Sequence, residues 1–334
     1  MAKPTNQAAA FALNPGIYAL AGICKNAGKT TLLNWLLENK GERHLGVMTT
    51  GRDGETVDSV FGNSKPAVQL PDNTLFTAAT QVINQLGFQI EVIDCLPFTA
   101  ANQQLWLART LYPLEAEITG PPSSLAQIKV ARQMQTLGAE TVLIDGSLDR
   151  KSIALQPEVK GIFLVIGSSF GGFDQLKAEL ERLIILSKLP VNNQQLPKGL
   201  ENYISCLNEG NWQSTGLASL INHEQELLDR LHTMKQQEIY LPGALTDSVF
   251  TKIRSGLDSV PVLLVRHALN LHLSRTNLNA LMRHWQVNTV HAFRFNLVAL
   301  NSWAVDGNHL DSNELRRFTR ILFPNLPVID IKEG

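Results

Sequence analysis

The chain of 334 residues is poor in cysteine and in charge, and it contains no long run of apolar residues. Its three cysteines, Cys24, Cys95 and Cys206, lie far apart and show no CxxC or Cys/His spacing. They predict neither a disulfide framework nor a zinc site. The apolar runs have the length of strands, whereas a membrane helix needs about 20 such residues. The N-terminal residues also lack the apolar segment of a signal peptide, so we expect a cytoplasmic protein without a membrane span.

An excess of basic residues is also missing. The chain has 29 Lys and Arg residues against 30 Asp and Glu, which gives a formal net charge of −1. Proteins that hold nucleic acid through its phosphates usually carry a basic excess or a basic run. We therefore expect no nucleic-acid partner. The hydrophobic fraction of 44% is large enough for a sizeable core, which excludes disorder as the overall state.

Short β-like runs alternate with amphipathic helical patterns along most of the chain. This alternation is typical of α/β proteins with a largely parallel sheet flanked by helices. Composition becomes polar and rich in Asn and Gln from Pro190 to Gln213. We therefore predict a nucleotide-binding domain over residues 1–190 and a smaller α/β domain over 191–334, with the boundary between 190 and 240. Phe76 to Leu86 is predicted as a single helix from its apolar residues at helical spacing.

The most informative segment is residues 22–31, called the phosphate loop below: Gly22-Ile-Cys-Lys-Asn-Ala-Gly-Lys-Thr-Thr31. A predicted strand leads into it and a predicted helix follows it. Gly28 allows the backbone to approach phosphate closely, Lys29 supplies a positive charge and Thr30 supplies a hydroxyl for Mg²⁺. The common pattern has its first glycine at the place of Ile23, whereas this chain has Gly22. This longer spacing is the one that dethiobiotin synthetases use.

The phosphate loop predicts the nucleotide contacts. We expect ATP to bind at residues that are all in the loop and Mg²⁺ to use the Thr30 hydroxyl, with Lys29 also acting in catalysis. The predicted nucleotide-binding residues are Gly22, Asn26, Ala27, Gly28, Lys29, Thr30 and Thr31. Together these features predict a P-loop NTPase type of fold for the first domain.

A phosphate loop also needs a carboxylate near the end of a neighbouring strand, because Mg²⁺ takes hard oxygen ligands. Two residues fit this requirement. Asp53 lies between Gly51 and Gly54 after the second predicted strand, and Asp145 ends the apolar strand that begins at Thr141. We assign Asp53 as a catalytic residue that also binds the metal directly, and Asp145 as a metal ligand or as a group that hydrogen-bonds to one. For each of them, an ordinary Asp/Gly turn is the alternative.

Several segments together resemble the reactivases of lysine 5,6-aminomutase. The phosphate loop continued through Asn34 is one of them, and Ile144-Asp-Gly-Ser-Leu-Asp-Arg-Lys151 is the other specific one. The remaining similar segments are Gly51-Arg-Asp-Gly-Glu55 with Asp58, Lys65-Pro66, Thr119-Gly-Pro121, Gly243-Ala-Leu-Thr-Asp247, Leu300-Asn301 and Val328-Ile-Asp330. The resemblance covers most of the chain.

The resemblance implies an ATP-dependent chaperone that expels damaged adenosylcobalamin from an aminomutase. It implies nucleotide binding by Gly28, Lys29 and Thr30, and metal binding by Asp53 and Asp145. The expected protein is then a slow, Mg²⁺-dependent ATPase (a hydrolase) with the aminomutase as partner. The sequence leaves open whether it forms a homodimer.

Two alternatives remain open from the sequence. The first is an ATP-dependent ligase or kinase of the dethiobiotin-synthetase kind, which acts on a small molecule. Those synthetases place a catalytic lysine at the end of the second strand, where this chain has Thr49 and Thr50. The second is a descendant that binds nucleotide without turnover, which the intact Lys29, Thr30 and Asp145 disfavour.

Overall fold

The computed structural model describes residues 13–24, 27–50, 68–147, 153–167, 170–192, 196, 198–233, 238–257, 262–301 and 310–331. Two compact units are formed, one by residues 1–172 with 294–334 and the other by residues 173–293. No helix in the described part of the chain is long and apolar enough to cross a membrane.

The first unit begins with twelve elements of the chain. They are β1 (Gly16–Gly22), α1 (Lys29–Glu38), β2 (Leu45–Thr49), β3 (Val68–Leu70), β4 (Leu75–Ala79), α2 (Thr80–Leu86), β5 (Ile90–Ala100), β6 (Gln103–Thr110), β7 (Leu114–Ala116), α3 (Ser124–Thr136), β8 (Thr141–Ser147) and β9 (Val159–Gly167). The second unit then contributes α4 (Phe173–Ser187), β10 (Ser205–Asn208), β11 (Asn211–Ser214), α5 (Glu224–Thr233), β12 (Glu238–Leu241), β13 (Leu245–Thr246), α6 (Asp247–Leu257), β14 (Val262–His267), β15 (Leu271–His272), α7 (Arg275–His284) and β16 (Gln286–His291). The chain ends in the first unit with β17 (Phe295–Asn301), α8 (Ser312–Leu322) and β18 (Val328–Asp330).

The first unit is built on a nine-stranded sheet with the order β18-β17-β9-β1-β8-β2-β4-β6-β5. The strands from β18 to β4 all pair in parallel. Only β6 and β5, at one edge, run antiparallel to their neighbours. The structure therefore confirms the predicted α/β class with a mostly parallel sheet.

Helices cover both faces of this sheet. On one face, α1 buries its four leucines in an apolar cluster that also contains Leu20, Val47 and Leu143 from the central strands. On the other face, α3 packs so closely that a side chain on Gly46 would meet the Met134 sulfur at 2.7 Å. The Ser123 hydroxyl caps the start of this helix by accepting a hydrogen bond from the Ala126 backbone N–H at 3.3 Å.

The second unit has its own α/β architecture. Its five-stranded sheet has the order β11-β10-β12-β14-β16, in which β12, β14 and β16 are parallel. The polar segment Pro190 to Gln213 contains β10 and part of β11, which form an antiparallel hairpin. The two compact units are divided differently from the two domains predicted with a boundary near residue 190. The C-terminal strands β17 and β18 pair within the nine-stranded sheet of the first unit. The two-domain assignment from sequence stays a prediction.

The prediction of one helix from Phe76 to Leu86 is wrong in its first half. Residues 75–79 form β4, and the helix α2 begins only at Thr80. The apolar spacing fits both structures, since Phe76 and Ala78 also alternate as a strand requires. Pairing with β2 on one side and β6 on the other decides the outcome for these residues.

Candidate functional site

The phosphate loop leaves the carboxyl end of β1, which lies between β8 and β9 in the nine-stranded sheet. The strand is fully buried, and burial also raises the pKa of Tyr18, whose ring stacks on Phe163 at 4.9 Å. The backbone N–H of Ile23 continues this pairing by donating to the Val165 carbonyl at 2.9 Å. The loop is therefore anchored to an interior strand of the sheet. It lies at the carboxyl ends of the parallel strands, where α/β proteins bind ligands.

The helix α1 begins directly after the loop. Gly28 is its N-cap with φ of +102°, a backbone conformation that favours glycine. The first turn contains Lys29, Thr30 and Thr31, and it has no acidic residue and no capping side chain. The N–H groups at this end of the helix are thus not used by a side-chain cap, and together with the helix dipole they suit an anion.

Two glycines make room for the loop. A side chain on Gly22 would lie 3.3 Å from Cγ of Lys29, so this glycine leaves space for the stem of the lysine. A Cβ on Gly167, at the end of β9, would lie 2.6 Å from the Ala27 Cα. Ala27 itself is completely buried. The loop backbone consequently packs directly on the neighbouring strand.

Asn301 is a contact residue of the loop that the sequence did not single out as part of the site. It ends β17, where its side-chain Nδ2 donates a hydrogen bond to the Ala27 carbonyl oxygen at 3.2 Å. The same nitrogen would lie 2.8 Å from a Cβ on Gly28, and Cδ1 of Ile331 would lie 3.0 Å from it. The sequence contained one signal for Asn301, namely a polar residue at the end of a predicted strand. Ligands of α/β proteins bind at the carboxyl ends of parallel strands.

Asp145 lies near the carboxyl end of β8, on the same side of the sheet as the phosphate loop. In register it is beside Leu20 of β1 and Thr49 of β2, and its backbone carbonyl accepts a hydrogen bond from the Thr50 N–H at 2.6 Å. Side chains alternate along a strand, and Leu143 belongs to the apolar cluster with α1. Asp145 therefore lies on the face of the sheet that α1 covers. Its position is suitable for a magnesium ligand near the start of that helix.

The segment Thr119 to Pro121 also reaches this edge of the sheet. The Thr119 N–H donates to the Thr77 carbonyl at 2.9 Å, and the Thr49 carbonyl oxygen occupies the place that a Gly120 side chain would need. The Pro121 carbonyl accepts a hydrogen bond at 2.8 Å from the side chain of Gln127, which is buried on α3. The segment thus contacts the end of β2 at Thr49 and the middle of β4 at Thr77.

The structure brings together most of the residues predicted for the site. The described loop residues follow one another from β1 into α1, and Asp145 lies on β8, the strand that pairs directly with β1; the loop residues are Gly22, Ala27, Gly28, Lys29, Thr30 and Thr31. The predicted residues Asn26 and Asp53 lie outside the described part of the chain. Within that part, no group of three or more His, Cys, Asp or Glu residues could hold a metal ion. Of the predicted magnesium ligands, Thr30 and Asp145 lie in the described part of the chain.

Comparisons with known proteins add no family assignment. No protein-family model matches the sequence, and neither a curated protein nor a solved structure matches it.

Proposed function

We propose that this protein binds Mg²⁺-ATP at the phosphate loop. The observation that carries the proposal is the order β1, glycine-containing loop, α1 at the centre of a parallel sheet, with Lys29 and Thr30 in the first helical turn. The N–H groups of this turn and Lys29 would receive the phosphates, while the Thr30 hydroxyl and Asp145 would serve Mg²⁺. Asp53 stays a proposed catalytic and metal-binding residue on the basis of its sequence position.

Binding is tested by calorimetric titration with Mg²⁺-ATP and, separately, with Mg²⁺-GTP. Lys29→Ala should lose most of the affinity, because phosphate sites depend on positioning and on such charges. Lys129→Ala is the matched control, since Lys129 is an exposed residue of α3. Affinity for ATP in Lys29→Ala equal to that of the control would contradict the proposed site.

We further propose that nucleotide turnover drives the remodelling of a protein partner, in line with the resemblance to aminomutase reactivases. Phosphoryl transfer in nucleotide switches is often slow until a partner supplies or orders a catalytic group, with gains of about 10³ or more. The isolated protein should therefore hydrolyse ATP slowly. An adenosylcobalamin-dependent aminomutase should accelerate it.

The competing function, a small-molecule ligase, predicts a different response. The spacing of the phosphate loop supports it, whereas Thr49 and Thr50 occupy the strand end at which the synthetases carry lysine. Phosphate release should be measured for the protein alone, with the aminomutase, and with a panel of small carboxylates and diamines. Turnover of about 1 per second or more with a small molecule alone would contradict the chaperone proposal.

A further inference from the structure

Asn301 and Gly167 together form the surface on which the Ala27 peptide rests. They are direct neighbours in the register of β17 and β9. Ala27 packs on Gly167, and its carbonyl oxygen accepts the hydrogen bond from Asn301 at 3.2 Å. Ala27 is completely buried and Asn301 is 7% exposed, so water has little access to replace this hydrogen bond.

The hydrogen bond fixes the orientation of the peptide between Ala27 and Gly28. A trans peptide is planar, and its C=O and N–H point in opposite directions. The described chain contains no cis peptide. With the Ala27 carbonyl directed at Asn301 on β17, the Gly28 N–H must point away from that strand.

We propose that Asn301 is a positioning residue for the phosphate loop, which orients the Gly28 N–H for a hydrogen bond to a phosphate oxygen of the bound nucleotide. This inference rests on the proposed nucleotide binding. Backbone N–H groups provide much of the anion binding in such loops, and their value depends on their direction before the ligand arrives. Asn301 is distant in sequence from the loop and acts on it through the Ala27 carbonyl.

This role requires a side chain at position 301 that can donate a hydrogen bond and is as long as asparagine. Alanine at position 301 would leave the buried Ala27 carbonyl without this donor, and the peptide could rotate. Aspartate has the same shape but would place a carboxylate oxygen against the carbonyl. When protonated, however, its O–H can donate to the Ala27 oxygen and restore the contact.

The experiment compares Asn301→Ala with Asn296→Ala, a control on the same strand whose side chain lies beside Gly161 instead of the loop. Each protein is titrated with Mg²⁺-ATP and with inorganic tripolyphosphate, and its melting temperature is measured. We expect Asn301→Ala to bind both ligands about tenfold more weakly, the change that a lost hydrogen bond of about 1.4 kcal/mol produces. Asn296→Ala should retain the wild-type affinity for both.

Three results would contradict the inference. Affinities of Asn301→Ala equal to those of the wild type would remove the positioning role while leaving nucleotide binding intact. A loss for ATP without a loss for tripolyphosphate would assign Asn301 to the nucleoside part of the ligand. A wild-type protein that binds neither ligand would refute the proposed function, and this inference with it.

A second variant covers the case in which Asn301→Ala does not fold. Burial and the facing carbonyl should raise the pKa of the aspartate in Asn301→Asp above its ordinary value of about 3.9. Its affinity for tripolyphosphate, relative to the wild type, should recover as pH is lowered from about 8 to about 5. A ratio that does not change with pH would contradict donation to the Ala27 carbonyl. The amide resonance of Gly28 should follow the same titration.

Discussion

The packing of Ala27 on β9 can be tested by Gly167→Ala. A Cβ on Gly167 would lie 2.6 Å from the Ala27 Cα, 3.1 Å from its Cβ and 3.2 Å from its oxygen. The φ of Gly167 is not among the positive values of the chain, so alanine causes no backbone strain there. In the folded protein the substitution therefore acts by pushing the loop, whose main-chain atoms cannot rotate away as a side chain can.

The expected size of the effect follows from two opposing terms. Overpacking in a well-packed region costs about 1–3 kcal/mol. Replacing glycine by alanine reduces the entropy of the unfolded chain and returns about 0.4–1 kcal/mol. At the middle of both ranges the net loss is about 1.3 kcal/mol, which should lower the melting temperature by about 3–5 °C for a unit of this size.

Thermal unfolding with and without Mg²⁺-ATP measures both stability and binding. A ligand raises stability in proportion to the logarithm of its concentration over Kd, so a displaced loop should also reduce the increment that ATP gives. Gly172→Ala is the control, because a Cβ there meets no atom within 4 Å and the residue is exposed. Equal melting temperatures and equal ATP increments in the two variants would refute the packing argument.

Three further substitutions test other parts of the structure. Asp145→Asn should weaken the Mg²⁺ dependence of ATP binding by about 10–100-fold without unfolding the protein, and an unchanged Mg²⁺ titration would show that Asp145 is only a structural residue of β8. Glu238→Gln should reduce the pH dependence of urea unfolding. Burial raises the pKa of Glu238 in the folded protein, despite a hydrogen bond from Asn192. The free energy of unfolding of the wild type should therefore fall as pH rises from the unfolded pKa of about 4.3 through the folded pKa. Parallel pH profiles of these two proteins would contradict this cause. Ser123→Ala should cost about 1 kcal/mol in denaturant unfolding, since it removes the cap of α3 at Ala126, and an unchanged midpoint would show that the cap contributes nothing.

The sequence predicts the order β1, phosphate loop, α1 because each of its signals is local. The apolar strand, the glycines and the leucines at helical spacing all lie within residues 16–38. The start of α3 is predictable for the same reason, since a serine cap acts on an N–H three residues away. Such features depend little on the rest of the chain.

β4 shows where local signals fail. Its residues fit a helix and a strand equally well, and only the pairing with β2 and β6 distinguishes the two. The hairpin of β10 and β11 could not be predicted from local sequence for a related reason. Its polar composition indicates a loop, although Cys206 of β10 is buried against its neighbours.

The contact between Asn301 and the loop could not be predicted, because it depends on the path of the chain through the second unit. After β9 the chain forms residues 173–293 as a separate unit and then returns to add β17 beside β9. Only this return places Asn301 next to Gly167 and within 3.2 Å of the Ala27 carbonyl. The residues that would bind phosphate are local in sequence, whereas the residue that holds their backbone comes from the far end of the chain. A sequence motif therefore identifies the first group, and the strand order of the sheet is needed for the second.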